Sequence, residues 1–400
     1  MKQSNLFSNL NPLDARRFLI YAVVYFSVGI GVSMLGPLLP FLADHANVSV
    51  GQMGFAFTTQ NLGYLVGSLG GGSFFDRYKS HRLLVLCLAA VILTGFLIPM
   101  VGWFPGLLVV LFFFGLGIGA IDVGENINMV WIFQSEVGPY LNAVHLIFGV
   151  GAFCTPLIIT TVLGWTNGSL TWAIWALLLL FFPGLLGLAT TPSPENPETN
   201  QTDSTEEVGY VGTIILLMLT IFFAVGVQIG FSGWIFTYVS DLKIADTATA
   251  SMINALFWAS LSLGRLIAIP VSKKVAPGTM ILFNFALLTL VLIFFLIWPT
   301  DPVMVWIGAA GVGLTTATLF PTLLSFAKTR VNMTGRITGL LFLGSSLGMM
   351  LLPLLLGQVF DRYGGYPMLL VVFISALLGL GVMSLLSVKR APEHDAPVAS

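Results

Sequence analysis

Apolar stretches of about 20 residues or more recur along the whole chain, and no other feature limits its fold so strongly. A helix that long, rising 1.5 Å per residue, crosses a hydrocarbon core ~30 Å thick with its backbone polar groups paired internally. The runs are continuous rather than alternating over ~10 residues, which selects helices over a β-barrel. Twelve can be marked, at 17–43, 51–75, 83–103, 105–133, 139–164, 168–190, 210–240, 246–272, 278–299, 301–328, 334–360 and 365–388. Composition agrees: 56% of residues are hydrophobic and 8% charged, with mean hydropathy +0.95, whereas a soluble domain is about 25% charged. The expected class is all-α, a polytopic membrane protein with 12 transmembrane helices.

The first stretch follows Lys2, Arg16 and Arg17, but it runs too long and lacks a small-residue cleavage site, so it reads as a retained helix. With a cytoplasmic N-terminus, one side of the membrane collects Lys2, Arg16, Arg17, Arg77, Lys79, Arg82, Lys273, Lys274, Lys328, Arg330, Arg336, Lys389 and Arg390. Lys243 and Arg362 fall on the other. This bias places both termini in the cytoplasm of a cell membrane and favours an even helix count. Cys87 and Cys154 lie inside apolar runs and read as packing residues.

The long polar segment from Thr190 to Tyr210, rich in Pro, Ser, Thr and acids, reads as a loosely ordered linker. It divides the chain into an N-terminal six-helix bundle (1–190), a cytoplasmic linker (191–209) and a C-terminal bundle (210–400). Sliding the chain over itself pairs Gly115 and Gly117 with Gly311 and Gly313, Gly151 and Pro156 with Gly348 and Pro353, and Gly67 with Gly264. These matches predict two pseudo-symmetric six-helix bundles, an arrangement in which secondary transporters bind substrate between the halves.

No G-x-x-x-x-G-K-[ST] motif occurs, and no stretch outside the membrane is long enough for a nucleotide-binding domain, so this chain does not drive transport with ATP directly. GLGIGAIDVGENINMVW, residues 115–131, carries the chemistry. An acid at the bilayer centre costs ~2.5–3.5 kcal/mol on insertion scales, and here Asp122 and Glu125 lie within one turn. At about 100° per residue, Asp122, Glu125, Asn126 and Asn128 share one face near mid-membrane. Two such carboxylates cannot both carry charge comfortably, so one holds a proton or a cation sits between them. That suits ion coupling; the bland alternative is that the acids only hydrogen-bond neighbouring helices.

His145, on the antiparallel fifth helix, returns to the depth of Asn128, as either a structural or a binding residue. Gln60 and Asn61 lie mid-depth on the second helix, and Gln228, Trp234 and Tyr238 recur on the seventh. Amides, hydroxyls and aromatic faces together suit a sugar, although Trp and Tyr near helix ends also anchor helices at the interface. Thr315, Thr316 and Thr318 can bond their own backbone and carry little weight. Arg265 lies about two turns from Lys273, ~12 Å inside the cytoplasmic end, as a snorkelling residue or a gate anchor.

GGGSFFDRYKSHR, residues 70–82, closes the second helix. Its G-x-x-x-D-R followed by basic residues resembles the signature loop of the major facilitator superfamily, which implies that Gly72, Asp76, Arg77 and Arg82 help latch the inner gate. Tyr78-Lys79 stands where that family usually has a further Gly. GQVFDRY, residues 357–363, repeats the string on the external side and reads as a capped helix end. NLGYLVGSLGGGSFFDR, the D-x-G-x-N of Asp122 to Asn126, the H-x-x-x-G-x-G-A-F-x-x-P-L of His145 to Leu157, and FSGWIFTY around Trp234 resemble the branch of sodium-dependent glucose transporters and the fucose-proton symporter. That resemblance implies a binding or coupling role for Asp122, with Asn126 one turn on. The first helix lacks the acid that the fucose symporter uses there, and Phe148 stands where that protein has a substrate Asn.

The expected function is secondary active transport of a hexose-like sugar by alternating access, coupled to sodium or protons through Asp122 and Glu125. The alternatives are a drug or metabolite exporter of the same fold, or a membrane receptor that binds without transport. No enzymatic chemistry, cofactor, resident metal or nucleic-acid partner is expected beyond a transient sodium near Asp122. The partners are the solute, the ion and the lipid bilayer, and the chain is expected to be monomeric.

Overall fold

The computed structural model describes residues 10–75, 78–195, 211–331, 333 and 335–388, with backbone alone at 72, 73, 135 and 335. Among these residues there are helices and no strands. In chain order they are α1 (Pro12–Ser33), α2 (Leu35–Ala46), α3 (Gly54–Phe75), α4 (Ser80–Leu97), α5 (Phe104–Phe133), α6 (Val137–Trp165), α7 (Leu170–Leu179) and α8 (Phe182–Ala189). The second half comprises α9 (Val211–Asp241), α10 (Thr247–Val271), α11 (Pro277–Ile297), α12 (Pro302–Thr316), α13 (Leu319–Ala327), α14 (Gly335–Tyr363) and α15 (Gly365–Val388).

Three stretches expected to be single helices are interrupted: α1/α2 ahead of Pro37, α7/α8 ahead of Pro183 and α12/α13 ahead of Pro321. Proline supplies no N–H to the carbonyl four residues back and crowds the turn before it, so the break falls on its N-terminal side. One consequence reaches the functional region. Pro321 leaves the Ala317 carbonyl without its helical donor, and Arg265 Nε of α10 donates to it at 3.4 Å.

Eleven described spans are long and apolar enough to cross a membrane, which makes this a multi-pass membrane protein. The twelfth expected crossing, 51–75, forms α3 but does not reach that apolarity. Thr58, Thr59, Gln60, Asn61 and several glycines dilute it. Its apolar residues are nonetheless organised: Phe55, Leu62, Val66 and Leu69 are exposed along one helical stripe, while Gln60 is buried on the inner side.

The halves repeat each other's packing. α1 lies on α6 as α9 lies on α14, α3 crosses α5 as α10 crosses α12, and the halves meet through α6–α10 and α3–α14. Glycines allow the closest crossings: Gly115 and Gly119 sit on the carbonyls of Gln60 and Tyr64, so any side chain at either would occupy the oxygen's place. The counterpart of Gly115 is Gly313, over the Phe257 carbonyl, rather than Gly311 as the string match suggests. Gly67 over Leu116 and Gly264 over Leu314 agree with this corrected register, while Gly151 over Phe26 and Gly348 over Phe222 keep the expected pairing. String similarity alone misses a two-residue shift because glycine is frequent enough to match in either frame.

The start of the expected linker is tied down rather than loose. Arg17 donates to the carbonyls of Pro192 at 3.1 Å and Ser193 at 2.9 Å. His81 adds a contact from Nδ1 to the Thr191 carbonyl at 2.8 Å. The remainder, 196–210, lies outside the described residues.

Candidate functional site

The close α3–α5 crossing sets the position of the central acid. With Gly119 seated on the Tyr64 backbone, the Tyr64 hydroxyl reaches Asp122 one turn further along α5 and donates to its Oδ2. Tyr25 of α1 donates to Oδ1 at 3.1 Å. Asn126 donates Nδ2 to the Asp122 carbonyl at 2.8 Å and to Oδ1 at 3.3 Å. His145 of α6 stands edge-on to Tyr25, ring centroids 5.2 Å apart. Asp122 and Asn126 are therefore brought together, with His145 joined to them through Tyr25, in a shell of two tyrosines to which the sequence reading gives no role. A tyrosine in a membrane helix gives no periodic signal that separates a carboxylate donor from a packing residue.

Asp122 is half-buried, and its oxygens accept from neutral groups on three helices. Oriented hydroxyls and amides can support a carboxylate and equally form part of an oxygen shell for a small cation. Among the described residues no cluster of three or more His, Cys, Asp or Glu residues could hold a metal.

Glu125 and Asn128 sit differently. Both are fully buried, and their side-chain oxygens and the Asn128 nitrogen have no hydrogen-bond partner among the described residues. The expected single polar face thus divides into a bonded pair, Asp122 with Asn126, and two sealed side chains. Burial of unpaired polar groups is costly, and among the described residues Glu125 and Asn128 together leave four buried side-chain N or O atoms without a partner.

Two cavities flank this layer. The first, of about 30 Å³, is lined by Gln60, Asn61 and Tyr64 from one half and Ile229, Ser232 and Trp258 from the other. It has room for a water or two and not for a hexose. Gln60 Nε2 donates to the Gly31 carbonyl at 3.3 Å. Asn61 donates to the carbonyls of Phe57 and, across the halves, Met349, at 2.9 and 3.2 Å. Pro353 cannot donate to that Met349 carbonyl, so Asn61 supplies what the proline removed. Trp258, also unanticipated, keeps a buried Nε1 without a partner among the described residues.

The second cavity, about 740 Å³, lies where α6, α10, α11 and α13 converge, and its lining includes Asn142, His145, Arg265, Lys273, Thr318 and Ser325. Its size is within the range of small-molecule sites. From His145 and Arg265 its lining continues along α10 through Ile269 and Ser272 to Lys273.

At the opposite end the halves are closed. Gly36 of α2 packs on the Ser232–Gly233 backbone of α9, and Thr58 donates to the Met350 carbonyl at 2.9 Å. Asp361, at the end of α14, accepts from the Gly51 N–H at 2.7 Å and from the Ser49 hydroxyl, just ahead of α3. The GQVFDRY string is therefore more than the capped end of its own helix: its carboxylate ties α14 to the start of the other half's helix.

The other expected residues lie elsewhere. Trp234 and Tyr238 are buried, donate to the carbonyls of Pro353 at 3.1 Å and Pro299 at 2.7 Å, and line neither cavity. Gln228 is half-buried on α9 and also lines neither. Gly72 is described only as backbone within α3, Asp76 and Arg77 lie outside the described residues, and Arg82 is exposed at the start of α4.

A family model described as Major Facilitator Superfamily matches residues 21–353. Sodium-dependent glucose transporter 1 of Homo sapiens is 25% identical over 398 residues, spanning 90% of this chain and 76% of that protein. Among solved structures, a D-xylose-proton symporter superposes with TM-score 0.77 at 13% identity, covering 93% of this chain and 97% of that one. A mutant of the nucleoside transporter NupG gives the same TM-score of 0.77 at 12% identity, covering 93% of this chain and 99% of that one. At those identities the solved structures speak for the fold alone.

Proposed function

Because the chain belongs to the major facilitator superfamily, whose family model covers residues 21–353, we propose that it is a secondary active transporter of a hexose-like sugar, working by alternating access and coupled to sodium or protons through Asp122. The observation that carries the proposal is the placement of Asp122. Hydroxyls from α1 and α3 hold its carboxylate, and His145, edge-on to the α1 tyrosine, lines the 740 Å³ cavity where α6 of one half meets α10, α11 and α13 of the other.

In the proposed cycle, the halves 1–190 and 210–400 rock about the α3–α14 and α6–α10 contacts, with 191–209 as cytoplasmic connector, α3 as the twelfth crossing and both termini inside the cell membrane. Solute enters the 740 Å³ cavity past Lys273 and meets His145 and Asn142 from one half and Arg265 and Thr318 from the other. Closure at this end must break the opposite seam, bringing Gln60, Asn61 and Trp258 into a widened first cavity. Ion binding at Asp122 competes with the Tyr25 and Tyr64 hydroxyls and so loosens α1 and α3 from α5. This links ion occupancy to the helices that form the seam. Glu125 joins as second acid when α1 and α5 part and its carboxyl meets water.

The sugar assignment draws on the named glucose transporters and on the hydroxyl and amide lining; the exporter alternative gains nothing from a cavity that contains few aromatic or Met side chains. Labelled D-glucose uptake into proteoliposomes, measured under separate sodium and pH gradients, tests it. Gradient-driven accumulation is expected with one ion, and the absence of gradient-dependent uptake of any sugar would overturn the reading.

A further inference from the structure

The 740 Å³ cavity has a one-sided charge. His145, Arg265 and Lys273 line it, and no Asp or Glu does. Arg265 is the least expected of these, standing ~12 Å along α10 from Lys273 at a depth where a charged side chain needs a partner. Among the described residues it has one hydrogen bond, Nε to the carbonyl freed by Pro321, and no carboxylate lies within ion-pairing distance. Guanidinium offers five N–H donors in a planar fork suited to carboxylate or phosphate, so most of its capacity is unused beside the cavity. A neutral sugar has no need of such a group. Hydroxyls are served by Asn142, Thr318 and Ser325 in the same lining, and those residues avoid the cost of a part-buried cation without a counter-charge.

We propose that Arg265, assisted by His145 and Lys273, is the seat of an anionic group on the transported solute, so that the substrate is a sugar-like polyol bearing a carboxylate or phosphate. This rests on the transporter reading above and narrows its substrate class. The anion supplies the counter-charge that the protein withholds, and the polyol body extends toward Asn142 and Thr318. Because Arg265 belongs to one half and His145 to the other, the anion also bridges the halves, so binding favours closing this end of the cavity.

The full chain in phosphatidylcholine nanodiscs is titrated with labelled D-glucose, D-glucuronate and glucose 6-phosphate, and with succinate as a non-sugar anion. At least one sugar anion should bind about ten-fold or more tightly than glucose. Arg265→Gln should bring the ratio to within about two-fold, whereas Arg265→Lys, which keeps the charge and loses the fork, should retain part of it. The wild-type ratio stands whether or not a variant folds. Glucose binding as tightly as both sugar anions overturns the inference and leaves the sugar reading intact. Succinate binding that depends on Arg265, with no sugar bound, supports the anion seat and overturns the sugar reading. Repeating the titration with phosphatidylglycerol added separates the remaining source: Arg265-dependent protection by that lipid, with no soluble anion bound, assigns the seat to a headgroup and overturns the substrate claim.

Discussion

Asp361→Ala removes the one carboxylate that, among the described residues, joins α14 to the start of α3. Two hydrogen bonds are lost, to the Gly51 N–H and to the Ser49 hydroxyl. Bonds to a charged group are worth about 1.5–3 kcal/mol each when protected from water, but Asp361 and Ser49 are exposed, which reduces the pair to about 1–2 kcal/mol. The bonds exist only while this end is closed, so their loss acts on the equilibrium between closed and open rather than on folding as a whole. It corresponds to roughly a 5- to 30-fold shift toward opening. Spin labels at the exposed positions Phe55 and Tyr363, with Cys87 and Cys154 replaced by Ser, report the separation of α3 and α14 by pulsed dipolar spectroscopy. The long-distance population should grow in Asp361→Ala and to a smaller extent in Asp361→Asn, which keeps one acceptor oxygen. Identical distance distributions in all three proteins would refute the reasoning, since the seam would then owe nothing to the carboxylate.

Other perturbations separate packing from chemistry. Tyr64→Phe leaves the ring in place and takes one donor from Asp122, and should weaken coupling by about 1–2 kcal/mol, read as a reduced accumulation ratio with unchanged thermal stability. Gly119→Leu must displace α3 from α5, because any side chain there meets the Tyr64 carbonyl; a loss of at least about 1–3 kcal/mol should appear as a lower Tm, and an unchanged Tm would show that the crossing is looser than described. His81→Ala severs the contacts to Tyr21 and to the Thr191 carbonyl, at 2.7 and 2.8 Å, and should speed proteolytic cleavage near 190–195 several-fold. Equal cleavage rates would mean that Arg16, Arg17 and the backbone N–H of residue 81, which donates to the Ser193 hydroxyl at 3.1 Å, hold the segment without the imidazole.

The sequence discloses the helical class, the location of nearly every crossing and the polar cluster around Asp122, because lipid leaves few alternatives for a long apolar run and makes an acid within one conspicuous. What it conceals depends on distance between helices. Tyr25 and Tyr64 belong with Asp122, but they come from α1 and α3, and nothing along the chain announces that convergence. Trp234 and Tyr238 suit a sugar ring by residue type; their N–H and O–H groups are instead committed to the backbone carbonyls of Pro353 and Pro299. Asn61 has a cross-half partner that only the register of Pro353 could reveal. Asp361 is readable as a helix end, yet its bonds run to the opposite half, which a motif confined to one segment cannot encode. In the repeat, Gly115 matches Gly311 by string and Gly313 by packing, since backbone contact rather than neighbouring residue identity fixes which glycine is required.

The central claim is that Asp122 couples an ion to solute movement. Proteoliposomes containing wild type or Asp122→Asn can be compared in two assays on one preparation: solute counterflow, which needs only exchange, and accumulation against a gradient, which needs coupling. The account predicts that wild type performs both, while Asp122→Asn retains counterflow and loses accumulation under every ion gradient. Undiminished accumulation in Asp122→Asn would contradict it.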